Sequence, residues 1–407
     1  MTVEELRKYF PALDAQIYGK KLVYFDNAAS SQRYLKAVER QQELSLHSNA
    51  NIHRAVHKLS NDATEEYEST RIAVKEYLNA SSREEIIFTS GTTGSINLVA
   101  FCFGEAFVHE GDEIMVSEAE HHSNIVPWQM LCQRKKAVLK VIKVDDNGIL
   151  DIDSLTSQLC EKTKIVAVTH ISNVLGLINP VEEIVSICHS KGVPVLIDGA
   201  QGIVHQRVDV QKLDCDFYAF SGHKIYAATG TGVLYGKKSW LDQMPPYMGG
   251  GEMIDTVKFS GTTYAPLPAK YEAGTQNFNS IPTLKDSIKL FKLLDDKELA
   301  DYNKKVADYL YDALSSDPRI KIYGVPCGTV HKIPLFSITV QGVHHEDLAL
   351  LLDKMGIATR SGQMCAEPIM DRFGVTGMLR ISLAPYNTLE EVEYFMKSLN
   401  RAIEMLS

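Results

Sequence analysis

Residues 193–202, VPVLIDGAQG, and 217–235, FYAFSGHKIYAATGTGVLY, decide how the rest of the chain is read. The first opens with an apolar run, Val193–Ile197, that has the character of a buried parallel strand and ends at Asp198. A second run, Phe217–Phe220, leads straight into Ser221-Gly222-His223-Lys224, and a third, Gly232–Tyr235, follows a loop rich in glycine and threonine. In open α/β sheets ligands sit beyond the carboxyl ends of strands, which is where Asp198 and Lys224 fall. A carboxylate at one strand end and a lysine 26 residues later, after the next strand, is the pair that pyridoxal phosphate requires. The amine holds the cofactor, and the acid keeps the pyridine nitrogen protonated so that the ring accepts electrons. A strand-end Asp capping a helix, with a solvated Lys beside a turn, would look the same on these two residues alone.

Working towards the N-terminus, strand-like runs recur at Lys164–Thr169, Val138–Val144 and Glu113–Val116, separated by helical or loop stretches. That alternation implies a largely parallel sheet with helices on both faces. Just past two of these runs lie His170-Ile171-Ser172-Asn173 and Glu120-His121-His122-Ser123-Asn124. Adjacent histidines cannot share a helix face, so a two-histidine metal site is not indicated, and an imidazole laid over a flat ring fits better. Before them, the strand Glu85–Phe88 runs into Thr89-Ser90-Gly91-Thr92-Thr93-Gly94-Ser95 and a helical stretch to about Phe107. Small hydroxyl and glycine residues at a helix start favour an anion, although such a turn is often only a turn. The GxxxxGK[ST] nucleotide pattern is missing. Polar groups after four consecutive apolar runs point to one shared pocket. Nearer the start, Val3–Phe10 reads as a short helix stopped by Pro11, Leu22–Phe25 as a strand entering the turn 26–30, and Thr64–Leu78 as a surface helix with its charges on one face.

Working towards the C-terminus, a glycine-started hairpin is expected at about 249–263, then a loop over Glu272–Asn277 and a helix from Leu284. Beyond it Phe336, Ile338 and Val340 alternate with Ser337 and Thr339, and Leu379, Ile381 and Leu383 with Arg380 and Ser382. Period-two alternation means half-buried strands, hence an antiparallel sheet with one covered face. Residues 20–285 are therefore expected to form a large domain, and residues 1–19 with 286–407 a smaller α+β domain. In the smaller one, Arg360-Ser361-Gly362-Gln363-Met364-Cys365-Ala366-Glu367-Pro368 presents a cysteine on a loop, with Arg360 near enough to favour its thiolate. Cys327 is the other loop cysteine, whereas Cys102 and Cys188 lie in apolar helical stretches. Arg380 reads either as a surface ion pair or as a fork for a substrate carboxylate.

Composition bounds these readings. At 407 residues, 45% hydrophobic and 23% charged, the chain has room for two domains and a large core. A net charge of −9 counts against a sequence-independent grip on nucleic acid. The seven cysteines are scattered with no CxxC pair, which suits a reducing compartment and offers no metal-site spacing. No apolar segment approaches the ~18 residues of a membrane span, and MTVEELRKYF lacks a basic, apolar signal, so a cytoplasmic protein is expected.

Nine stretches carry a resemblance: DNAAS at 26–30, NIHRAVHKLS at 51–60, SGTTGSINLVA at 90–100, EHHSNIVPW at 120–128, SNVLG at 172–176, DGAQ at 198–201, SGHK at 221–224, AGTQN at 273–277 and RSGQMCAEP at 360–368. Together they resemble the SufS-type cysteine desulfurases, class V pyridoxal-phosphate enzymes of fold type I, nearly end to end. The resemblance implies an α/β fold, with a mostly parallel, seven-strand-like sheet domain beside a smaller α+β domain. It further implies that Lys224 holds the cofactor, Asp198 pairs with the pyridine nitrogen and His121 stacks on the ring. Gln201 and Asn173 would serve the ring hydroxyl region. Thr93, Ser221 and His223 would hold the phosphate, helped by Thr275 from a second subunit. Arg380, with Asn173, would bind the substrate carboxylate, and Arg360 and Arg54 would also face the substrate. Cys365 would take sulfur from L-cysteine as a persulfide, releasing alanine, in a homodimer that passes the sulfur to a SufE-like or SufU-like acceptor for iron–sulfur cluster assembly.

The sequence departs from the family pattern at Gln363-Met364, where two histidines are usual, at Gln276, where proline is usual, and at Ala55, where glycine is common. The short connection around Cys365 is similar to the SufS group rather than the NifS/IscS group with its longer mobile loop. The same scaffold serves selenocysteine lyases and kynureninase-like hydrolases. Cys365 separates a desulfurase from the latter but not from the former. A cofactor-binding scaffold without turnover is the remaining alternative, and intact Lys224, Cys365 and Arg380 count against it.

Overall fold

The computed structural model describes residues 1–326 and 331–407. The apolar runs between 86 and 236 form one seven-stranded sheet in the order Ile86–Thr89, Gly232–Gly236, Phe217–Ser221, Val195–Asp198, Thr163–Thr169, Glu113–Ser117, Val138–Ile142. Gly232–Gly236 is antiparallel to both of its neighbours, and every other pairing is parallel. The central runs are mostly apolar because both faces are covered, whereas the edge strand Val138–Ile142 is partly exposed. Ile165, Ala167, Phe217 and Ala219 pack into one core, whereas Val166, Val168, Tyr218 and Phe220, one residue out of step, pack into the other. With Gly232–Gly236 the lone reversed strand, the carboxyl ends of the others open on a single rim.

A second sheet, antiparallel and four-stranded, runs Ile320–Ile322, Leu335–Val340, Met378–Ser382, Arg360–Gly362. Helices Lys297–Ser315, His345–Lys354 and Leu389–Leu406 pack on it through Val306, Leu310, Leu352, Phe395 and Leu399. The expectation of one solvated face fails here. Met378–Ser382 is buried at every residue, Arg380 and Ser382 included. Ser382 Oγ donates to Phe25 O (3.1 Å) and accepts the Ala28 N–H (2.9 Å), so the alternation in sequence marks a polar interior rather than water.

Val23–Tyr24 pairs in parallel with Ile357–Ala358, and Val23 and Phe25 join the core of the C-terminal helices. The helix at Val3–Arg7, shorter than expected, stays beside them. Arg7 Nη1 donates to Tyr386 O and to Glu391 Oε1, both at 2.8 Å.

The helix Lys58–Tyr77 starts earlier than its apolar spacing suggested and exposes one face, with Lys58, Glu65 and Glu76 in solvent, but not every charge lies on that face. Arg71 is buried within it and grips Glu272 with both Nη atoms (2.7 and 2.9 Å). The projecting hairpin pairs Ile254–Lys258 with Gly261–Tyr264, and Phe259 at its tip is fully exposed. Among the described residues no helix is long and apolar enough to cross a membrane.

Candidate active site

A cavity of about 220 Å³ opens on that rim. Thr93, His121, Asn173, Asp198, Gln201, Ser221, His223 and Lys224 reach it from the large sheet, and Arg360, Cys365 and Arg380 from the smaller one. Arg54 and Thr275 do not. Arg54 pairs with Glu252 (2.8 Å), and Thr275 follows Gly274, whose N–H donates to Gly251 O (2.9 Å) at the root of the hairpin. Cys327 lies outside the described residues.

Asp198 ends its strand almost fully buried, and burial pushes its carboxyl up from 3.8 to about 6. The Ala200 N–H (2.9 Å) and the Lys224 ammonium pull the other way. Lys224 ends the turn Gly222–Lys224, and burial, with the Arg380 charge, brings its ammonium down from 10.5 to about 8. A Lys of that pKa has roughly a tenth of its amines neutral at pH 7, ready to attack a carbonyl. Lys224 Nζ donates to Ala28 O, which also accepts Gln201 Nε2 (2.8 Å).

His121 leads the turn His122–Asn124, where its Nδ1 accepts the Ser123 N–H (3.1 Å) and so leaves the ring proton on Nε2. Burial, reinforced by the nearby Lys224 charge, lowers its pKa to about 4, so the ring is neutral at pH 7. Beneath it the fully buried Glu120 takes the Asn124 amide (2.7 Å) and the Thr169 N–H (2.9 Å). These bonds fasten the turn to the next strand end.

At the other side of the cavity the sixteen-residue helix Thr92–Phe107 begins. Its Thr92 N–H donates to Ser221 Oγ (2.8 Å), and the two hydroxyls lie 2.7 Å apart. Free N–H groups, the helix dipole and clustered hydroxyls make an anion cup. Glycine is needed beneath it, because a Cβ on Gly232 would stand 2.3 Å from the Cα of Gly91.

Arg380 is the cation of the opposite wall. Its Nη1 donates to Asn173 O (2.8 Å) and its Nη2 to Asp26 Oδ1 (3.1 Å), while Nε is buried with no partner among the described residues. Arg360 grips the same Asp26 carboxylate at 3.1–3.2 Å. Two guanidinium groups thus share one carboxylate, which leaves a net positive wall for an arriving anion.

Cys365 is exposed on a turn in which Met364 (φ 51°) and Cys365 (φ 54°) are both left-handed. Two such non-glycine residues in a row cost about 1–2 kcal/mol each, so the turn has to be held from outside. Cys102 and Cys188 are buried with thiols pushed up to about 12, which leaves them inert.

The aminotransferase class-V family model matches residues 23–395. The chain belongs to the class-V aminotransferase family. Within it the chain falls with the cysteine desulfurases. It is 42% identical over 406 residues to the cysteine desulfurase of Cronobacter sakazakii (strain ATCC BAA-894), covering 100% of this chain and 99% of that one. It is 44% identical over 405 residues to that of Serratia proteamaculans (strain 568), covering 99% of each. Among solved structures, cysteine desulfurase CsdA of Escherichia coli superposes with a TM-score of 0.91 at 38% identity over the whole of both chains. The cysteine desulfurase of Thermococcus onnurineus NA1 gives 0.92 at 36% identity, over 99% of this chain and 98% of that one. The seven-stranded, mostly parallel sheet with a smaller antiparallel one is the fold-type I architecture.

Class-V membership implies pyridoxal 5'-phosphate, and the cavity fits that group. A buried carboxylate faces a lysine of lowered pKa, and a long helix presents its first turn with two hydroxyls. Among the lining or supporting residues to which the sequence assigned no role are Asp26, Ala28, Thr92 and Glu120. Asp26 and Ala28 did carry a signal, since they follow a short apolar run as Asp198 does. Thr92 and Glu120 adjoin residues that were singled out.

Proposed function

We propose that this class-V enzyme takes sulfur from L-cysteine, releases L-alanine, and holds the sulfur as a persulfide on Cys365. What carries the reading is that one cavity joins Asp198 and Lys224 at its floor, Arg380 on its wall and an exposed cysteine at its mouth. The substrate C–S bond breaks, an S–S bond to Cys365 forms, and the β-carbon takes the hydrogen; no outside oxidant is needed. Pyridoxal 5'-phosphate, when bound, supplies an electron sink conjugated to the substrate's α-carbon.

The chain's residues do the rest. Lys224 is the residue to hold the cofactor, Asp198 the partner of its pyridine nitrogen, and His121 the ring stacked on it. Thr93, Ser221 and His223 belong to its phosphate, and Gln201 and Asn173 to its hydroxyl side. Arg380, which lines the cavity, orients the substrate carboxylate. Arg360 adds charge, and the neutral His121 moves a proton.

The working unit is a homodimer in which Thr275 and Arg54, remote from their own cavity, serve the neighbour's. The exposed hairpin that leads towards Thr275 supports this. Because Cys365 cannot swing far on so short a turn, a SufE-like or SufU-like protein reaches in for the sulfur, destined for iron–sulfur clusters. A reducing compartment such as the cytoplasm keeps the thiol ready. The test is mass spectrometry of the holoenzyme after incubation with cysteine. The Cys365 peptide should gain one sulfur, and gain on another cysteine, or on none while alanine accumulates, would overturn the assignment.

A further inference from the structure

The turn that presents Cys365 is bound at three successive points by the large sheet's loops. Asn173 Nδ2 donates to Met364 O (2.9 Å), and the His122 N–H donates to Cys365 O (2.7 Å). The His122 ring then accepts the Glu367 N–H at Nε2 (3.2 Å), with the Glu367 carboxylate 3.6 Å away. Glu367 begins the helix Glu367–Phe373, whose N-cap residue, Ala366, has no side chain to cap it. An imidazole from a segment 245 residues earlier does that work instead.

We propose that His122 is a positioning residue. It clasps the Cys365 turn so that the thiol stands where it takes sulfur, and this rests on the reading of Cys365 as the sulfur-accepting group. Burial of Met364 and Ala366, the Ala366 N–H to Gln363 O bond (3.0 Å) and the Asn173 bond to Met364 O close the turn itself, and His122 holds its exit into the helix. The main-chain bond holds Cys365 O, and the ring bond holds the Glu367 N–H just beyond the left-handed pair; only the ring bond depends on the side chain and is what substitution of His122 removes. His121, the next residue along, lines the cavity, so the ring over the floor and the nucleophile at the mouth are set by one short segment. A shift of the segment moves both together, and reaction rates fall steeply with sub-ångström misplacement.

The test compares holoenzyme carrying His122→Ala with His122→Gln, whose amide oxygen can accept the same N–H. In the Ala variant cofactor absorbance and KM for cysteine should stay within about twofold of wild type, while single-turnover persulfide formation slows about tenfold. Alkylation of Cys365 by iodoacetamide, read on its peptide without substrate, should become several times faster. The Gln variant should return towards wild type in both. The clasp is overturned if His122→Ala forms persulfide and is alkylated at wild-type rates. It is equally overturned if Ala and Gln variants lose cofactor absorbance and KM alike. Cys365→Ser run in parallel separates the two ideas. Persulfide surviving in that variant removes the reading of Cys365, whereas its loss there beside an unaffected His122→Ala removes only the clasp.

Discussion

Asp198 is poised for a cation, and without one it is a liability. Its carboxyl is harder to ionise in the folded chain, at about 6, than in the unfolded one, at 3.8. The sign follows from a raised folded pKa in an acid: the fold favours the protonated form. That contribution is complete below about pH 4 and is lost as pH rises through 6. The full difference is about 3 kcal/mol. Cofactor-free Asp198→Asn should therefore be more stable than cofactor-free wild type by about 2–3 kcal/mol at pH 7.5, and no more stable at pH 4. Urea denaturation at the two pH values reads this directly. Equal stability at pH 7.5 would mean the carboxylate is already paired or wet. Asp198 was legible because a lone acid after a buried apolar run is conspicuous. His122 was not: the sequence placed it beside His121 but held no sign that its ring caps a helix beginning at Glu367.

Among the elements, the helix Lys58–Tyr77 shows what period alone leaves open. Its spacing was legible, yet its charges were read as solvated because nothing in the pattern says that Arg71 points inward. Its partner, Glu272, is 201 residues away and fell in a segment read only as a loop. In the fold Glu272 also accepts the Phe88 N–H (2.8 Å), so helix, strand Ile86–Thr89 and the loop leading to Thr275 meet on one carboxylate. Removing one member of a buried ion pair strands the other, at about 3–5 kcal/mol. Arg71→Met should therefore destabilise by that much in chemical denaturation. Arg71→Met/Glu272→Leu should recover part of the loss, leaving the Phe88 N–H, the Tyr67 hydroxyl and the Ile86 carbonyl without these partners. A double variant worse than the single would mean the pair contributes more than the mutual neutralisation of its charges.

For the whole molecule, the presence of two different sheets was legible from the change of rhythm between continuous and alternating apolar runs. How the sheets meet was not, since the same alternation describes a strand half in water and one half in a polar seam. The proposed dimer makes a sharp prediction at this scale. In a hybrid of Lys224→Ala and Thr275→Ala chains, Thr275 acting across the interface places both changes in one site and neither in the other. Losing one charge-assisted phosphate bond weakens cofactor binding by about 1.5–3 kcal/mol, so Thr275→Ala should be impaired when cofactor is limiting. Mixing the two inactive or weak parents should then raise activity towards roughly half that of wild type per hybrid dimer. No recovery on mixing would place Thr275 in its own chain's site. The pairing of Val23–Tyr24 with Ile357–Ala358 bears on how such a protein is made. At ribosomal rates of about 5–20 residues per second, the interval between the two strands is roughly 20–60 s. For most of it Val23 and Phe25, buried in the finished protein, lack the core they join, which begins at Val306. This strand thus waits for a core made about 280 residues after it, and it is where a nascent-chain chaperone would find a long-lived handhold.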